Sequence, residues 1–136
     1  MTNKDDNPPQ NQTPDALTPQ KVLMVDDDKA MRTLLSLMLK RAKHSVTLFD
    51  IAKEALEFLE QTQELDMIIV DYMLPGMNGV DLVRRIREIP QWKAIRIVML
   101  SARGDEDARS EAFEAGVNKY LVKPLLIHNI SDLFTD

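Results

Sequence analysis

Four short apolar runs in this chain each end in residues able to do chemistry. Asp26 and Asp27 follow Val22-Leu23-Met24-Val25, and Asp71 follows Met67-Ile68-Ile69-Val70. Ser101 follows Ile97-Val98-Met99-Leu100, and Lys123, with Pro124 behind it, follows Tyr120-Leu121-Val122. Ligands of parallel sheets collect outside the carboxyl ends of the strands, so these residues would share one edge. Three carboxylates gathered there repel one another unless a cation sits among them or some of them bind protons. The lysine and the hydroxyl could then grip an anion. This set of groups suits metal-dependent phosphoryl chemistry on an aspartate.

The elements between the runs must position them. Met31, Leu34, Leu35, Met38 and Leu39 fall at i, i+3, i+4, i+7 and i+8, which predicts a helix with one buried stripe. Val46–Phe49 reads as a second strand. Ala52–Glu60 reads as a helix burying Ala55, Leu56 and Leu59. Leu74-Pro75-Gly76-Met77-Asn78-Gly79 is a dense turn signal after the Asp71 strand. A helix from Val80 to about Ile89 follows, burying Leu82, Val83 and Ile86. The Ser101 strand, a helix from about Glu106 to Ala115 stopped by Gly116, the Lys123 strand and a final short helix complete the chain. Five strands thus alternate with five helices. Their continuously apolar character means that both sheet faces are covered, so the fold class is α/β with a parallel sheet.

A length of 136 residues bounds the chain to one domain with a real core. Its net charge of -5 argues against non-specific nucleic-acid binding, which needs a basic surface. The lack of cysteine excludes disulfides, thiolate zinc sites and thiol catalysis. No stretch is apolar enough to span a membrane, and the N-terminus has no signal-peptide pattern, so a cytoplasmic protein is expected. Residues 1–20 hold Pro8, Pro9, Pro14 and Pro19 with Leu17 as their one bulky apolar group, and are expected to form a flexible tail before a domain over 21–136.

The chain from about Lys21 to Phe134 resembles the receiver domains of two-component response regulators. The resemblance rests on Val25-Asp26-Asp27-Asp28, on Asp71 through Gly79, on Leu100-Ser101-Ala102 and on Tyr120-Leu121-Val122-Lys123-Pro124. It implies a doubly wound, flavodoxin-like five-stranded sheet of order 2-1-3-4-5, in which the first and third strands are neighbours. It implies a signalling switch of a phosphorelay that catalyses only its own phosphorylation and dephosphorylation. Asp71 would be the phosphoacceptor, receiving the group from a sensor histidine kinase or a histidine phosphotransfer protein. Asp27, Asp71 and the Met73 backbone carbonyl would hold Mg²⁺, with Asp26 acting mainly through water. Lys123 would neutralise phosphoryl oxygens and Ser101 would hydrogen-bond one of them. Ser101 and Lys123 would move inward on phosphorylation, letting Tyr120 turn into the vacated space and altering a homodimer or effector contact.

Other residues have plainer roles at this stage. Asp28 is expected to cap the first helix. Gly76 and Gly79 are expected to serve turn geometry, His44 and His128 to be solvated or packed, and Trp92 to pack. By the resemblance, Pro124 would follow a cis peptide. Lys43 departs from the family pattern, standing at a helix end where glycine is usual, so the turn before His44 is expected to be strained or reshaped. Met73 and Arg103 lie where the family tunes dephosphorylation.

Three other readings compete. A haloacid-dehalogenase-like phosphatase needs Asp-x-Asp, which Asp26 and Asp28 satisfy, but the hydroxyl expected two residues on is Ala30. A degenerate receiver serving only as a protein-binding module is disfavoured by the complete site. A flavodoxin-like cofactor binder would need a Ser/Thr-rich phosphate loop after the first strand, and none is there.

Overall fold

The apolar runs form the middle of one parallel sheet, because their side chains find partners on both sides. The computed structural model describes residues 18–124 and 130–135. The elements are β1 (Lys21–Val25), α1 (Lys29–Arg41), β2 (Ser45–Phe49), α2 (Ala52–Gln61), β3 (Met67–Asp71), α3 (Gly79–Glu88), β4 (Arg96–Ser101), α4 (Glu106–Ala115) and β5 (Lys119–Val122). The strand order is β2-β1-β3-β4-β5, all parallel, as expected. Alternate side chains of the central strands feed two cores. Val22, Met24, Met67, Ile69, Val98 and Leu100 pack with Leu35 and Leu39 of α1. Leu23, Val25, Ile68, Val70, Ile97 and Met99 pack against α2, α3 and α4. The edge strands are less enclosed, and Leu48 and Val122 remain exposed.

Side-chain caps set the helix starts. Asp28 Oδ1 accepts from the amides of Ala30 and Met31, Asn78 Oδ1 accepts from Asp81, and Asp105 Oδ2 accepts from Ala108. Each such cap stabilises by about 1 kcal/mol. The end of α1 is a Schellman turn: the Lys43 amide donates to the Lys40 carbonyl and the His44 amide to that of Leu39. That turn needs a left-handed residue, and Lys43 supplies it with φ of 75°. The geometry usual for glycine is thus kept, and the strain is carried by lysine.

Two parts of the fold differ from the sequence expectation. Leu34 is exposed while Ser36 is buried, because an i, i+3, i+4 stripe has two rims and the sheet covers only one of them. In place of a fifth α-helix, the described residues carry a 3-10 turn at Ile130–Leu133. Lys119 Nζ donates to the carbonyls of Asp132 and Thr135, and Arg96 donates to those of Leu133 and Thr135, so side chains of β4 and β5 hold this segment to the sheet. The tail expectation up to residue 17, and that for His128, fall outside the described residues. Gln20 is already bonded into the fold: its carbonyl accepts from Ser45 and its amide donates to His44 Nδ1. His44 is packed, with its ring 5.0 Å from that of Phe134.

The end of the molecule opposite the strands' carboxyl termini is fastened by Arg87. Its guanidinium donates to the carbonyls of Trp92 (3.0 Å), Ile95 (2.6 Å) and Gly116 (2.6 Å), and to Asn118 Oδ1 (3.1 Å). Gly116 ends α4 with φ of 117°, and a Cβ there would lie 2.8 Å from Arg87 Nε. Trp92 is buried beside this cluster, and its indole N–H donates to the Leu59 carbonyl at 2.8 Å.

Candidate functional site

The crossover topology brings the ends of β1, β3, β4 and β5 to one edge, with β1 hydrogen-bonded to β3. Carboxylate oxygens of Asp26, Asp27 and Asp71 lie within 4.8 Å of one another. Asp26 is fully buried, Asp71 is buried and Asp27 is exposed. Lys123 Nζ stands 3.5 Å from Asp26 Oδ2 and 3.3 Å from Asp71 Oδ1. One cation thus faces three acids. The sequence expectation that Asp26, Asp27, Asp71 and Lys123 converge is met in distance.

Backbone and neighbours hold the acids in place. Asp26 Oδ1 accepts from the Asp28 amide at 2.8 Å, and Arg32 Nη1 donates to the Asp26 carbonyl at 2.8 Å. Asp26 Oδ2 is buried and accepts no hydrogen bond among the described residues. Gly79 has a second role beyond its turn. A Cβ there would stand 2.2 Å from the Asp71 carbonyl, so only glycine lets α3 start against the end of β3. Asp28 points away as the cap of α1, which leaves no second acid of an Asp-x-Asp pair at the site.

Burial and proximity shape the titration of Asp71. Its carboxyl is pushed up to about 6, first by burial and then by its hydrogen-bonding contact with Asp26 and the charge of that group. Lys123 works against both. Asp71 is therefore mostly ionised at neutral pH, yet sits in surroundings that disfavour its charge.

Divalent metal fits this set. The donors are hard carboxylate oxygens, and a buried oxygen with no hydrogen bond stands among them. Met73 is exposed and follows Asp71 by two residues.

Ser101 is buried, and its Oγ accepts from the Arg103 amide at 2.9 Å. Tyr120 is already inside, 6% exposed, with its hydroxyl donating to the Arg103 carbonyl at 2.7 Å. Ser101 and Tyr120 are thus joined through the backbone of Arg103. Lys123–Pro124 is a cis peptide.

Sequence reasoning missed a further group. Tyr72 is buried, and its hydroxyl donates to Glu111 Oε1 at 2.9 Å while accepting from Arg103 Nη1 at 3.3 Å. Strand alternation was the available signal: with Asp71 facing the α1 side, Tyr72 must face α4.

The family model described as response regulator receiver domain matches residues 22–134. Two-component response regulator ORR3 of Oryza sativa subsp. indica is 37% identical over 112 residues, covering 82% of this chain and 86% of that protein. The structure of chemotaxis response regulator CheY4 of Vibrio cholerae superposes with a TM-score of 0.77 at 32% identity, covering 86% of this chain and 94% of that one. The receiver domain of sensor histidine kinase PA1611 from Pseudomonas aeruginosa PAO1, solved with a magnesium ion coordinated in its active-site cleft, superposes with a TM-score of 0.72 at 30% identity, covering 79% and 88%. Among the described residues, no helix is long and apolar enough to cross a membrane. Strand order, the acid cluster beside Lys123 and the match across 22–134 lead to one assignment: the chain belongs to the receiver domains of two-component response regulators.

Proposed function

We propose that this receiver is a phosphorylation-driven switch with Asp71 as its phosphoacceptor. The observation that carries the reading is the position of Asp71 at the end of β3, buried, beside Lys123 at 3.3 Å and within the three-acid cluster. An ionised Asp71 oxygen attacks phosphorus in line and forms the acyl phosphate, while the donor's bond to phosphorus breaks and the leaving imidazole keeps its electron pair. Lys123 neutralises phosphoryl oxygens in flight, and Ser101 hydrogen-bonds one of them afterwards. Asp27, Asp71 and the Met73 carbonyl are the groups that would hold Mg²⁺, with Asp26 through water. Mg²⁺ supplies positive charge to the transferring oxygens when bound. The magnesium in the Pseudomonas receiver supports this choice. The chemistry is confined to the domain's own aspartate.

The donor is a phosphohistidine of a sensor kinase or phosphotransfer protein. Its docking face is the outer side of α1, where Leu34 and Leu37 are both about half exposed beside Ala30 and Thr33. Output passes to the surface formed by α4 and β5, where Phe113 and Val122 are exposed and able to meet a second copy or an effector. Acetyl phosphate with Mg²⁺ should add one phosphoryl group to the intact mass, and Asp71→Asn should take none. Labelling retained in that variant would remove Asp71 from its role. Leu37→Glu should slow transfer from a phosphohistidine donor and leave acetyl-phosphate labelling intact; equal loss of both would point to misfolding.

A further inference from the structure

The loop from β4 to α4 turns on Arg103, and every polar part of that residue is engaged. Its amide donates to Ser101 Oγ, and its carbonyl accepts from the hydroxyl of Tyr120 in β5. Its guanidinium makes a bidentate pair with Asp105, the cap of α4, at 2.9 and 2.8 Å. Its Nη1 reaches the Tyr72 hydroxyl, which in turn donates to Glu111 one and a half turns into α4. Two tyrosines, one directly after β3 and one in β5, strands that are not neighbours, therefore end on one loop residue from the same side of the sheet.

These connections form a closed figure. Tyr72 is the residue after Asp71, so β3 is tied directly to the middle of α4 through Glu111, and Arg103 ties both to the hydroxyl of Ser101. A Ser101 that moves toward a phosphoryl group on Asp71 carries the Arg103 amide with it. The guanidinium then cannot keep both Asp105 and Tyr72 unless α4 follows. We infer that Tyr72 and Glu111 form a latch that holds α4 in its resting position, with Arg103 as the joint that couples this latch to the phosphoacceptor site. Tyr72 and Glu111 are positioning residues, since neither lies in the acid cluster. The latch deepens the switch reading of the same site and rests on it for its trigger.

The latch makes the resting state dominant, so removing it should move α4 before any ligand binds. In full-length protein without ligand, Tyr72→Phe keeps the ring in the core and deletes only the hydroxyl. Amide signals of residues 105–115 should move part of the way along the line that joins the free and beryllofluoride-bound positions of the unaltered protein. Glu111→Ala, which removes the acceptor, should move the signals along the same line, and the double variant no further than Tyr72→Phe alone, which already deletes the Glu111 contact together with the Arg103 one. By reciprocity each variant should bind beryllofluoride with Mg²⁺ about fivefold more tightly. Displacements off that line, or none, with beryllofluoride still binding normally to the unaltered protein, would overturn the latch. Failure of the unaltered protein to bind beryllofluoride at Asp71 would instead overturn the phosphoacceptor reading. In that case the latch would be judged by amide exchange in α4, where Tyr72→Phe and Glu111→Ala should each raise exchange in residues 105–115 and unchanged exchange in both would overturn it.

Discussion

Two polar clusters lie at opposite ends of the same sheet and obey opposite rules. At one end Arg87 serves only carbonyls and the Asn118 amide oxygen, acceptors that belong to turns and strand starts. The Asn118 oxygen also takes the Ile97 amide at 2.7 Å. At the other end one ammonium faces three carboxylates, and a buried Asp26 oxygen has no hydrogen bond among the described residues. Buried polar groups are normally paired, so a paired cluster contributes to stability and an under-paired one marks chemistry. The fold is tightened where nothing reacts and left electrostatically unresolved where a ligand must enter.

The largest effect should come from breaking the paired end. Arg87→Ala would leave the carbonyls of Ile95 and Gly116 without their donor inside the α3–α4 junction. We expect a loss of about 2–4 kcal/mol in denaturant unfolding. Arg87→Lys should recover little of it, since an ammonium cannot reproduce the planar fork. Beryllofluoride affinity measured below the unfolding transition should stay within about twofold. A large change in that affinity would mean that the two ends are not separable.

The opposite sign is expected at the unpaired end. Asp71 titrates at about 6 in the fold against an ordinary 3.8, raised first by burial. A carboxyl with a raised folded value holds its proton more tightly when folded, so ionising it costs stability. The cost is absent below about pH 4, grows from there to about pH 6 and is full above it. Asp71→Asn should therefore stabilise the apo protein by about 2 kcal/mol near neutral pH, with no gain at pH 4. Mg²⁺ should narrow the gap by stabilising the unaltered protein more than the variant. A variant no more stable at neutral pH than at pH 4, relative to the unaltered protein, would show that the acids are not under electrostatic strain.

How much of this was legible in the sequence follows from the range of each interaction. The convergence of Asp26, Asp71 and Lys123 could be expected because each residue ends an apolar run, and run ends in parallel sheets share an edge, whereas the strand order came only with the resemblance to receiver domains. The Asp28, Asn78 and Gly116 signals are local, and the helix ends they mark sit within a residue or so of expectation. The Tyr72–Glu111 bond joins positions 39 apart, and Arg87 reaches Asn118 across 31, so neither has a local pattern. The exposure of Leu34 depends on how far the sheet extends under α1, which periodicity does not contain. The inward position of Tyr120 depends on the Arg103 carbonyl, a backbone acceptor that no residue type announces.

Lys43 sharpens the comparison by separating pairing from strain. The turn that it occupies is fully bonded, with the amides of Lys43 and His44 both donating to α1 carbonyls. Its cost lies instead in the torsion, since φ of 75° crowds the Cβ of any residue but glycine. Lys43 is exposed, so its side chain has little packing to lose. Glycine relieves the torsion but gives the unfolded chain more freedom, and the two effects partly cancel. Lys43→Gly should therefore stabilise by about 0.5–1 kcal/mol, a rise of a few degrees in the melting temperature for a domain of this size. Lys43→Ala keeps the Cβ and should gain nothing. Acetyl-phosphate labelling should be unchanged in both, because α1 ends at the edge of the sheet opposite to Asp71. If glycine and alanine behaved alike, the torsion would be costless here, and the cost would belong to the lysine side chain.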